Sequence, residues 1–91
     1  MPHYKLEIIT PQGITYNGEV VHALVPGEKG FVGVLANHAP YVTSSSGGRF
    51  EVREKTGEEK KFKVGPGFFE VARNQAFFFT EYSEAKTFIS S

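Results

Sequence analysis

Short runs in which polar and apolar residues alternate, divided by glycine and proline, make up most of this chain. Lys5-Leu6-Glu7-Ile8-Ile9 alternates and stops at the turn cluster Thr10-Pro11-Gln12-Gly13, whose residue types preset or tolerate turn dihedrals. Ile14-Thr15-Tyr16 follows. Asn17-Gly18, both tolerant of positive φ, then predicts a tight hairpin. Glu19 to Val25 is apolar on both sides, Val20 and Leu24 against Val21, Ala23 and Val25, which is the pattern of an interior strand. Pro26-Gly27 ends it.

Glycines recur at 27, 30 and 33 in the next segment, which closes on Ala36-Asn37-His38-Ala39-Pro40. A glycine in a strand-like stretch marks a bulge or a close approach of another backbone, so this segment predicts a surface shaped for a partner. Tyr41-Val42-Thr43 reads as a short strand and Ser44-Ser45-Ser46-Gly47-Gly48 as a flexible loop. Arg49 to Arg53 and Lys61 to Val64 alternate cleanly, with Phe50, Val52, Phe62 and Val64 facing inward across a turn at Thr56-Gly57. The charges between 51 and 63 read as a solvated outer face. After Gly65-Pro66-Gly67, Phe68 to Ala72 and Ala76 to Thr80 pair across Arg73-Asn74-Gln75. Helical character is confined to Ser83 to Ile89, too short to hold alone. The expected fold is all-β, a two-sheet β-sandwich or flattened barrel of about ten short strands. It would occupy residues 1–83, with 84–91 a short tail, one helical turn or disordered.

Length and composition narrow the function. Ninety-one residues make one domain, and the absence of cysteine leaves no disulfides to staple it. Ten basic and ten acidic residues balance to zero, whereas a nucleic-acid binder carries a basic excess to displace phosphate counterions. The amino terminus has no apolar signal run, and no stretch approaches the ~20 apolar residues of a membrane span.

Catalytic, cofactor-binding and metal sites are not expected. His3, His22 and His38 lack the spacing of a zinc site. Serines 44 to 46 have no nucleophile elbow. The glycines from 27 to 33 are not followed by Gly-Lys-Ser/Thr and open no helix, so they do not form a phosphate loop. The aromatic residues point elsewhere. Phe77-Phe78-Phe79 and Phe68-Phe69 are consecutive, so in strands at least one ring of each run faces away from the core. An outward apolar patch on a small protein marks a protein partner.

Several blocks resemble the epsilon subunit of the rotary F-type ATP synthase. They are Leu6-Glu7-Ile8-Ile9-Thr10-Pro11-Gln12-Gly13, Tyr16-Asn17-Gly18-Glu19-Val20, Val25-Pro26-Gly27-Glu28-Lys29-Gly30, Gly33-Val34-Leu35-Ala36-Asn37-His38-Ala39-Pro40 and Phe62-Lys63-Val64-Gly65-Pro66-Gly67-Phe68-Phe69-Glu70-Val71. They stand in the family's order and span about residues 4 to 83. The resemblance implies a non-catalytic subunit of the central stalk, the rotor. It would clamp the gamma subunit to the membrane c-ring and couple proton flow to ATP synthesis. It implies a c-ring-facing loop at Glu28, Lys29, Gly30 and Phe31, and a gamma interface at His38, Ala39, Pro40, Tyr41, Val42 and Thr43. It also implies a peripheral place on the cytoplasmic face of the energy-transducing membrane, reached only through the complex; nucleic acid is not an expected partner, on the charge balance above, and ATP binding is not expected.

Three positions depart from the family pattern. Ala36-Asn37 replaces the usual Pro-Gly, and Asn37 is expected to take the left-handed conformation in glycine's place. Phe31 stands where an acidic residue is common, which removes the ground for an ionic ring contact and leaves room for an apolar one. The serine run from 44 predicts a looser loop. The sequence ends at Ser91 without the family's two-helix carboxy-terminal domain, so, taken as complete, it is expected to lack the helical brake and ATP sensing. The alternative function is a stand-alone β-sandwich module binding protein or carbohydrate.

Overall fold

The computed structural model describes residues 2–86 and contains nine strands. They are β1 (Tyr4–Thr10), β2 (Gly13–Gly27), β3 (Gly30–Leu35), β4 (Tyr41–Ser45), β5 (Gly48–Glu54), β6 (Glu59–Val64), β7 (Gly67–Ala72), β8 (Gln75–Thr80) and β9 (Ser83–Lys86). The described residues hold no helix. Neighbouring strands follow the order β4-β7-β8-β1-β2-β5-β6-β9, and β3 pairs with β2. All pairings are antiparallel except β1 with β8.

β2 belongs to both layers. Its first part pairs with β1, and its second part lies between β3 and β5. Two register shifts punctuate it, one opposite Ile8/Ile9 and one between Val20 and His22. Thr15 and Val21 are the extra residues, and a bulge of this kind bends a strand and increases its twist. A flat ladder of eight strands would extend about 34 Å and be one layer thick. The molecule instead measures 31 × 27 × 26 Å, so the sheet folds across itself. Phe50 on β5 meets Phe78 on β8 at 5.0 Å and Phe69 on β7 at 6.4 Å between ring centroids. The Tyr4 hydroxyl donates to the Val34 carbonyl at 2.8 Å, joining β1 to β3. The expected sandwich is therefore observed. The terminal strands of the order, β4 and β9, do not pair, and the sheet stays open rather than closing as a barrel.

Alternation decides which residues fill the interior. Leu6, Ile8, Val20, Ala23, Val25, Phe50, Val52, Phe62, Val64, Phe69, Val71 and Phe78 are all buried, on a period of two that the Val21 bulge resets between Val20 and Ala23.

Three local expectations are corrected. Asn17-Gly18 is not a hairpin. Both residues lie inside β2, paired with Glu7 and Leu6, and neither has positive φ. The turn comes earlier, at Thr10–Gly13, where Gly13 takes φ 116° and the Gln12 amide donates to Thr10 Oγ1 at 3.2 Å. Gly18 instead makes room, because a Cβ there would strike the Tyr16 hydroxyl.

Residues 44–48 are not a loose loop either. Ser44 and Ser45 belong to β4 and Gly48 opens β5. Ser45 is buried, and its Oγ accepts the Gly47 amide at 3.0 Å. Gly47 has φ 94°, and a Cβ on it would come within 2.7 Å of the Val64 carbonyl oxygen, so only glycine fits. Finally, Ser83–Lys86 forms a strand against β6 rather than helix. Pairing there satisfies backbone groups that the edge of β6 would otherwise present to water. The Gly65 amide, which donates to the Tyr82 carbonyl at 3.0 Å, brings the chain to that edge. Residues 87–91 of the expected tail lie outside the described residues.

Candidate functional site

Two segments carry the site residues expected from the sequence, and the fold makes them neighbours. The first is the β2–β3 hairpin. Gly27 pairs with Gly30, leaving Glu28 and Lys29 exposed at its tip. Gly30 takes φ 120°, which glycine alone adopts freely. Phe31 follows, opposite Pro26, with 54% of its surface exposed.

The second segment is the turn from 36 to 40 and the start of β4. Asn37 takes φ 66°, the left-handed conformation expected of it. His38 Nδ1 lies 2.7 Å from the Ala39 carbonyl oxygen. A carbonyl only accepts, so Nδ1 carries the proton and, in the neutral ring, Nε2 is left as an acceptor. The imidazole stands edge-on to Tyr41 at 5.8 Å. Tyr41 and Thr43 are half-buried, whereas Val42 is 66% exposed.

The Ser44 hydroxyl donates to Glu28 Oε2 at 2.6 Å and ties the two segments together. Between them lies a depression of about 300 Å³, lined by Gly27, Lys29, Phe31, Val32, Tyr41 and Thr43 among others. Of the residues expected to face gamma, Tyr41 and Thr43 thus border those expected to face a ring.

A third surface was legible only as a requirement that some aromatics face outward. Phe69 and Phe78 are buried, and Phe68, Phe77 and Phe79 are on the outer face. Phe68 stacks on Phe79 at 4.9 Å, and Phe79 on Phe77 at 5.9 Å. In register, Phe68, Phe79, Ile9 and Ile14 form one row across β7, β8, β1 and β2. Ile14 is 58% exposed at its end. Ile9 and Ile14 were not singled out from the sequence. The Ile8-Ile9 doublet was the available signal, since one of two consecutive strand residues must face out. In the next row Phe77 lies between Glu70 and Glu7, and Val42 lies opposite Glu70. The first row is apolar throughout, and the second alternates apolar residues with carboxylates. Val42 links it to the second segment.

A polar network joins β2, β5 and β6. The Tyr16 hydroxyl donates to Glu54 Oε2 at 2.5 Å, and Lys60 Nζ sits 3.2 Å from the same oxygen. The Tyr16 hydrogen bond, then Lys60, holds the Glu54 carboxyl below the usual carboxylate range. Burial, then Glu54 itself, pushes the Tyr16 phenol up. Among the described residues no three metal-ligating side chains converge, and no helix is long and apolar enough to cross a membrane.

Comparison with known proteins matches residues 3–85 to a family profile described as the ATP synthase delta/epsilon chain, beta-sandwich domain. A Chlorobium limicola protein called ATP synthase epsilon chain is 35% identical over 78 residues, which is 86% of this chain and 89% of that one. A Leptospira interrogans protein of the same name is 40% identical over 83 residues, 90% of this chain but 64% of the relative's length. The fold recurs in the Euglena gracilis mitochondrial ATP synthase, solved as OSCP/F1/c-ring. There the TM-score is 0.86 at 20% identity, over 93% of this chain and 54% of that one. It recurs also in the Tetrahymena thermophila mitochondrial ATP synthase central stalk and c-ring. There the TM-score is 0.72 at 12% identity, over 88% of this chain and 64% of that one.

Proposed function

The chain belongs to the delta/epsilon β-sandwich family of the ATP synthase, and from that premise we propose that it works in the rotor, holding gamma against the c-ring. Epsilon chains are a non-catalytic subunit of that complex. The work is mechanical: proton-driven rotation of the ring is passed to gamma, and through gamma to catalytic sites on other subunits. The protein would be held peripherally on the cytoplasmic side, touching the membrane only through its partners.

One observation supports the clamp above the rest. The hairpin Glu28–Phe31 is joined to β4 by the Glu28–Ser44 hydrogen bond and shares a depression with Tyr41 and Thr43. A single corner can therefore meet two partners where they meet each other. Phe31 offers an exposed ring rather than a charge to the c-ring. His38 Nε2 offers gamma an acceptor, and Val42 leads onto the aromatic row.

The test is reconstitution with gamma and the c-ring from the same source. The wild-type chain is expected to form a stable ternary complex. Phe31→Asp should weaken retention on the ring while leaving binding to gamma alone unchanged, and His38→Ala should do the reverse. Absence of gamma binding at micromolar concentration would overturn the proposal.

A further inference from the structure

Among the described residues, three that are not glycine have positive φ: Asn37 at 66°, Arg73 at 54° and Asn74 at 59°. Such conformations are disfavoured for residues with a Cβ and collect where surrounding structure enforces them. Here they collect at one point. The Asn37 amide donates to Asn74 Oδ1 at 2.7 Å, and Asn74 Nδ2 donates to Asn37 Oδ1 at 3.0 Å. The residues are 37 apart in sequence and both exposed. The Asn74 carbonyl also accepts the Lys5 amide at 3.1 Å, so the tip of the β7–β8 hairpin is fastened to β1. Within the described residues, the hydrogen bonds from 36–40 to other parts of the chain are the two of this clasp.

We propose that Asn37 and Asn74 are positioning residues: their reciprocal pair locks the turn carrying His38, Ala39 and Pro40 onto the β7–β8–β1 layer in its partner-binding orientation. The inference rests on the rotor reading above, because it concerns the surface offered to gamma. Ala39 and Pro40 have no hydrogen-bonding side chains to fix the turn, and His38 bonds only to its own neighbour's carbonyl. Association is weakened when a surface must be ordered on binding. A turn already held by two bonds avoids that penalty.

The pair is chemically asymmetric, and the asymmetry supplies the test. Position 37 uses its side chain only as an acceptor, so Asn37→Asp keeps both bonds. Position 74 must accept from the Asn37 amide and donate to Asn37 Oδ1. Asn74→Asp therefore loses one bond and sets a carboxylate against a carbonyl oxygen. The double variant Asn37→Gly/Asn74→Gly relieves both left-handed conformations and removes the clasp without straining the fold.

The experiment titrates each variant with the purified gamma subunit, recording melting temperature and exchange of the Asn37 amide alongside. Asn37→Asp is expected to bind gamma within about twofold of wild type. Asn74→Asp and the double glycine variant should lose about tenfold, the latter with melting unchanged and faster exchange at position 37. Equal affinity in all variants overturns the clasp and leaves the rotor reading standing. Absence of gamma binding by wild type overturns both. Unchanged exchange at position 37 in the double variant overturns the clasp whatever gamma does.

Discussion

Tyr16 lies across a glycine two residues further along its own strand in order to reach Glu54 on the next. Local sequence favours a hairpin at Asn17-Gly18, and this packing overrides it. The tyrosine needs the space that a side chain at 18 would take, and the β1–β2 ladder runs straight through both residues. The same contact carries a pH-dependent contribution to stability. Glu54 is held below the ordinary carboxylate range first by the tyrosine hydroxyl. A depressed carboxylate stabilises the fold above its unfolded pKa and loses that contribution as pH falls through the folded value. Tyr16→Phe should therefore cost about 1 kcal/mol at neutral pH. The gap from wild type should shrink below pH about 4. Urea denaturation at several pH values checks this, and a gap independent of pH would count against it.

At the scale of the strand, consecutive aromatics have opposite fates. Phe78 is fully buried against Phe50 at 5.0 Å, while Phe79 lies on the outer row stacked on Phe68 at 4.9 Å. Phe78→Ala should cost about 3–5 kcal/mol through lost burial and the cavity left behind. Phe79→Ala should cost about 1 kcal/mol, the scale of one cross-strand pair. In gamma binding the order should invert: Phe79→Ala weakens it, whereas a Phe78 variant that still folds binds nearly as wild type. Denaturation midpoints and titration on the same samples read both.

The strands themselves were legible because period-two alternation is set by burial, and Phe50, Val52, Phe62 and Val64 all face inward as their spacing requires. What was not legible depends on distant partners. Nothing local shows that Ser45 would cap Gly47 and that the Val64 carbonyl would press on it, or that Ser83–Lys86 would find the edge of β6. Of the candidate site, Asn37's backbone conformation could be read from residue type, but its partner Asn74 could not. Nor could sequence show that the hairpin at 28–31 and the segment at 38–43 touch, because the Glu28–Ser44 bond exists only once β4 has folded beside β2.

Across the whole molecule, charge and shape suggest how such a subunit would associate. The chain is neutral, with ten residues of each sign, and many of its charges pair along the β5–β6 side, as with Arg53–Glu59 and Lys60–Glu54. The row Phe68, Phe79, Ile9, Ile14 and the exposed Val42 are uncharged. Long-range steering needs net charge or a single-sign patch, and it falls steeply with ionic strength. Apolar burial responds to salt weakly and in the opposite sense. Gamma binding should accordingly show an unsteered association rate, about 10⁵–10⁶ per molar per second. Its affinity should vary by less than about threefold as salt rises from about 50 to 500 mM. Of the carboxylates beside the row, Glu7 and Glu70 are the two that pair in register with Phe77. Glu7→Gln/Glu70→Gln should therefore remove most of whatever salt dependence remains. A steep loss of affinity with salt that survives in this double variant would mean that the charged β5–β6 face, not the aromatic row, meets gamma.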